Sequence, residues 1–107
     1  MIIDDILNNG SSEVWWCETE EDKNEMIAFA INFGITYAGK EILSYQDLEC
    51  DQHIDIFQIA RNSYGQLRLL VGYHDNHPAA QTWQYFKNKY CIDIPTEHIA
   101  LSDYLMG

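Results

Sequence analysis

The chain has 107 residues, 47% hydrophobic and 13% aromatic, with six Lys and Arg against seventeen Asp and Glu, a formal net charge of −11. That apolar content excludes a disordered acidic tail, and the length suits one domain, residues 1–107, able to bury a core without disulfides or metal. The charge argues against non-specific binding to nucleic acid or anionic lipid, both of which repel it.

The opening MIIDDIL reads as a helical turn or two, set off by the small-residue break Asn8-Asn9-Gly10-Ser11-Ser12. It has no basic leader region, so the expectation is a cytoplasmic protein without a signal peptide, in the host cytosol if phage-encoded. Glu13–Glu18 (EVWWCE) reads as a strand from its aromatic and β-branched residues. Adjacent residues of a strand face opposite ways, so Trp15 and Trp16 cannot both enter one core. Val14 and Trp16 share a face and Glu13 lies on the side of Trp15, which makes Trp15 the candidate for exposure.

Thr19 has the chemistry of an N-cap, with Asp22 three residues on and acids at Glu20, Glu21 and Glu25, where the helix dipole favours them. Met26, Phe29, Ala30 and Phe33 recur on one helical face, and Gly34 ends it. This predicts a helix over about 20–33. Ile35–Ala38 reads as a short strand turning at Gly39-Lys40, and Glu41–Gln52 as an irregular or partly helical connection.

His53–Ala60 and Leu67–Tyr73 read as strands around the turn Asn62-Ser63-Tyr64-Gly65. The first is apolar on both faces, as a central strand is; the second alternates, with Leu67, Leu69, Val71 and Tyr73 on one side. Asn76 or His77 then reads as the cap of a helix opening at Pro78, with Ala79, Trp83, Phe86 and Tyr90 on its apolar face and Lys87 and Lys89 in its last turn. Cys91–Ile94 reads as an edge strand, followed by a last helix from Pro95-Thr96 to Tyr104. The expected fold is α+β: one domain with a small, mainly antiparallel sheet and two or three helices on one face.

No P-loop, GxGxxG, GxSxG or HExxH string is present. Cys17, Cys50 and Cys91 are an odd number without CxxC spacing, which fits reduced thiols better than a disulfide framework or zinc finger. Cys17 sits among acids that disfavour a thiolate. His74 and His77, with Cys50, His53, Cys91 and His98 elsewhere, could gather a metal. A turn leading into the helix at Pro78 explains His74–His77 without one, so no metal or cofactor is expected and the chain is not read as an enzyme.

The charge is segregated along the chain. Residues 1–55 hold thirteen acids and two bases, which is the whole −11, and residues 56–107 hold four of each. One face built from Trp15, Glu18, Glu20, Glu21, Asp22, Glu25, Glu49, Asp51 and Asp55 is therefore the expected contact surface for a basic protein. Tyr37, Tyr45 and Tyr64, near turns, are further contact candidates.

The expected function is a small non-enzymatic inhibitor that occupies the positive surface of a nuclease or other nucleic-acid-handling protein. Small acidic phage-encoded inhibitors of CRISPR or restriction systems act by such mimicry or steric block, an analogy of charge and size alone. A cytosolic immunity protein or antitoxin neutralising a toxin nuclease is the alternative. A small metal enzyme using His74 and His77 is the second alternative, and a homodimer through a sheet edge is a further partner expectation.

Overall fold

The computed structural model describes residues 2–48 and 54–94. Helix α1 is Ile2–Ile6, strand β1 Trp15–Trp16, helix α2 Glu20–Asn32, and β2 Thr36–Tyr37 and β3 Lys40–Glu41 form a short hairpin. A 3-10 turn at Tyr45–Leu48 precedes the long strands β4, Ile54–Arg61, and β5, Leu67–Tyr73. A second 3-10 turn at His74–Asn76 leads to β6, Gln81–Thr82, and helix α3, Trp83–Lys89.

The six strands form one sheet in the order β3-β2-β5-β4-β1-β6. Pairs β1–β4, β2–β3 and β4–β5 are antiparallel, and β1–β6 and β2–β5 are parallel. The domain is α+β as expected, with a larger sheet, four of whose strands have two residues each. Two-residue strands leave almost no periodic trace in a sequence. Strands β1 and β2 pair with the long β4 and β5, and β6 and β3 pair in turn with β1 and β2. Among the described residues no helix is long and apolar enough to cross a membrane.

One face of the sheet carries the core. Trp15, Phe57 and Ile59 are fully buried and Leu69 is buried beside them. Against them pack Ile3 and Ile6 of α1, Met26, Phe29 and Ala30 of α2, and Trp83 and Phe86 of α3. Trp15 stacks on Phe86 at 4.5 Å between ring centroids and meets Trp83 at 5.6 Å. Its indole N–H donates to the Met26 sulfur at 3.2 Å.

The expected exposure of Trp15 is therefore overturned, because this residue is 0% exposed. Pairing with Phe57 sets its row, and that row faces the helices. Trp16 takes the opposite face, half-buried, with its ring against His74. Counting faces from Glu13 failed because the chain keeps strand geometry only at Trp15–Trp16, so alternation cannot be carried back to Glu13.

Helix α2 starts where the sequence says. Thr19 Oγ1 accepts from the Asp22 backbone N–H at 3.1 Å, and Asp22 Oδ2 accepts from the Glu18 N–H at 3.0 Å. This reciprocal cap satisfies two donors in the first turn. Gly34 follows the helix at φ +65°, a conformation that favours glycine.

Helix α3 starts later than expected. Pro78 lies in a turn outside it, and Thr82 is the cap, its Oγ1 accepting from the Tyr85 N–H at 3.2 Å. The segment 74–80 crosses from β5 to β6, and the His77 ring lies over Gly72, where an added Cβ would sit 3.7 Å from it. The predicted edge strand Cys91–Ile94 is irregular chain instead, with Cys91 at φ +52°. The helix expected from Pro95-Thr96 to Tyr104 lies outside the described residues.

Candidate functional site

The first turns of α2 divide their acids into two groups. Glu18, Glu20 and Glu21 are exposed, whereas Asp22 is 3% and Glu25 8% exposed. The buried pair faces α3. Glu25 Oε1 accepts from the Trp83 indole N–H at 3.0 Å, the Gln84 amide at 3.1 Å and the Lys87 ammonium at 2.8 Å. The same Gln84 amide donates to Asp22 Oδ1 at 2.7 Å. A buried carboxylate must be hydrogen-bonded or paired: Asp22 is hydrogen-bonded, and Glu25 is both. Their work is to bolt α2 to α3, so Asp22 and Glu25 are corrected from contact residues to structural ones.

Above this bolt lies an open groove of about 390 Å³, lined by Glu18, Thr19, Glu21, Asp22, Glu25, Gln84 and Lys87. Lys87 neutralises Glu25 at its floor. Glu20 pairs with Lys23 at 3.2 Å in the exposed manner that contributes little. The Glu18 and Glu21 side chains have no ion-pair partner among the described residues. Two rim carboxylates thus face solvent, over a floor where Lys87 pairs with Glu25 and neutral donors satisfy Asp22.

The remaining acids of the expected face separate. Asp55 lies at an irregularity of β4, and its carboxylate accepts from His74 Nδ1 at 2.9 and 3.0 Å, on the sheet face of Trp16 rather than beside α2. Glu49 and Asp51 lie outside the described residues. Exposed acids also occur at Asp5, Glu41, Asp75 and Asp93, so acidity is not confined to one side. Among the described residues there is no group of three or more His, Cys, Asp or Glu able to hold a metal.

Two features escaped the sequence reading. Gln84 and Lys87 are three apart on α3 and so share a helical face, which was a readable sign of a polar seam. Glu13 has no such sign: its carboxylate reaches the far end of α3, accepting from Lys89 Nζ and Tyr90 Oη at 2.8 Å each. The Lys89 hydrogen bond, then that of Tyr90, holds the Glu13 carboxyl below its usual range. Burial, and then Glu13 itself, pushes the Tyr90 hydroxyl up.

Comparison with protein-family models, curated proteins and solved structures found no match for this chain.

Proposed function

We propose that the protein is a non-enzymatic binding inhibitor, and that the rim carboxylates Glu18 and Glu21, with the neighbouring Glu20, meet a basic, nucleic-acid-handling protein. The observation carrying this reading is the division of the α2 acids: Asp22 and Glu25 are tied inward, leaving Glu18 and Glu21 exposed without ion-pair partners among the described residues. The capped start of α2 fixes the backbone from which these carboxylates project, so only their side chains are left to order when a partner's Lys or Arg side chains arrive. An acidic surface on a −11 molecule also speeds encounter with a basic one and makes binding salt-dependent.

The contact set is therefore Glu18, Glu20 and Glu21, without the buried Trp15. Neutralising a toxin nuclease would use the same rim, and the neighbouring genes separate that role from phage defence evasion. The test is affinity capture from the native host's lysate at low and high salt, with the triple variant E18K/E20K/E21K beside the wild type. The reading expects a basic nucleic-acid-handling protein captured at low salt, released at high salt and lost to the variant. Capture that is indifferent to both changes would overturn it.

A further inference from the structure

The strands β4 and β5 meet at a tip that is ordered and yet presents a bare aromatic ring. Tyr64 is 88% exposed. Asn62 Oδ1 accepts from the backbone N–H groups of Tyr64 and Gln66 at 2.9 Å each. The Asn62 N–H donates to the Gln66 carbonyl at 2.9 Å, and the Gly65 N–H to the Asn62 carbonyl at 3.0 Å. The Asn62 and Gln66 side chains add a bond of 3.0 Å. The backbone of a tip this well bonded has little ordering entropy left to lose on docking, which leaves only the tyrosine side chain to order.

Charge distinguishes this tip from the rest of the molecule. Residues 56–74 contain no Asp or Glu, and Arg61 and Arg68 flank the tip from the two strands. Arg61 makes one exposed contact of 3.5 Å to Asp4, and Arg68 has no ion-pair partner among the described residues. Tyr and Arg are the residue types that dominate interface energetics. A positive aromatic finger on an anionic protein needs a concave acceptor carrying carboxylates.

The molecule carries such an acceptor itself. The α2–α3 groove has a volume of about 390 Å³, with Glu18 and Glu21 on its rim and Lys87 paired to Glu25 at its floor. We infer that the Tyr64 finger of one copy docks in the α2–α3 groove of a second copy, with Arg61 and Arg68 against Glu18 and Glu21. The Tyr64 ring would cover Lys87, a cation–π contact, while the arginines meet the rim. This is a head-to-tail contact, because finger and groove are different surfaces, so the association continues from copy to copy unless a ring closes.

Salt separates this inference from the proposed inhibition, from which it is independent although the groove is shared. Two copies at −11 repel over long range. Moderate salt screens that repulsion more than it weakens contacts inside the groove, so self-association rises where capture of a basic partner falls.

Sedimentation equilibrium of the purified protein over a concentration series, at low and moderate salt, is the test. The wild type should associate, and Y64A and the groove variant E18K/E21K should each weaken association about tenfold or more. Mixing the two variants is the decisive step. Y64A keeps an intact groove and E18K/E21K an intact finger, so the mixture should form a one-to-one complex and grow no further. Formation of that complex also proves both variants folded. A wild type that stays monomeric throughout, variants that associate as it does, or a mixture no heavier than its parts would each overturn the inference. None of these results bears on whether a basic partner uses the rim.

Discussion

Glu21 and Asp22 are sequence neighbours with opposite duties. Asp22 accepts from the Glu18 N–H and from Gln84, so it is part of the frame, whereas Glu21 is exposed on the groove rim. Asp22→Ala should cost about 1–2 kcal/mol, since it removes a reciprocal cap and leaves a partly buried amide without its acceptor. Glu21→Ala should stay within about 0.5 kcal/mol, as surface changes do. Urea denaturation midpoints of the two variants check the contrast.

Glu13 gives a second prediction at this scale. Its carboxyl titrates lower in the fold than in the unfolded chain because Lys89 and Tyr90 donate to the ionised form. The stabilisation is therefore complete above the ordinary carboxylate range and disappears as pH falls through the lowered value of the fold. Wild type should exceed Glu13→Gln in stability at neutral pH, and the gap should close on acidification. A gap that is constant with pH would show that the contact acts without the charge.

Residue-level reading was sound where chemistry is local and failed where pairing decides. The Thr19–Asp22 cap was legible because all its partners lie within four residues. The side taken by Trp15 was not, because it is set by Phe57, Trp83 and Phe86, distant in the chain.

At the scale of elements, the legible pieces are those long enough to show a period. Helix α2 and strands β4 and β5 emerged close to their observed limits. Strands β1, β2, β3 and β6 have two residues each and no period of their own: β1 and β2 pair with the long β4 and β5, and β3 and β6 extend the sheet from them to its edges. The start of α3 was misplaced because Asn76-His77-Pro78 looks like a helix entry and serves a turn. The working cap, Thr82, stands directly before Trp83, within what read as one continuous helical face.

Two substitutions test that boundary. Thr82→Ala should cost about 1 kcal/mol by removing the cap bond to Tyr85. Pro78→Ala should change stability far less, because Pro78 lies outside α3. The reverse order in thermal denaturation would place the helix start at Pro78. At the other end of α2, Gly34→Ala should cost roughly 1–2 kcal/mol, because φ is +65° there although the space around it is open.

The −11 is uneven along the sequence, and among the described residues exposed acids recur on several elements. Among the described residues, Lys23, Arg61, Lys87 and Lys89 pair with carboxylates. Acids are exposed on α1, α2, β3 and the 74–80 crossover. What sets the start of α2 apart is three exposed carboxylates within four residues, beside a groove and on a helix bolted to its neighbour. Four of the nine expected contact residues, Trp15, Asp22, Glu25 and Asp55, are buried or lie elsewhere, because burial and strand pairing separate them from Glu21 and no composition argument reports either.

The claim that this rim is a recognition surface is tested most directly by the salt dependence of Kd for the captured partner, wild type against E18K/E20K/E21K. The account predicts that wild-type binding weakens steadily as salt rises, and that the variant binds at least about tenfold more weakly at low salt with a flatter slope. Equal affinities and equal slopes for the two proteins would contradict it.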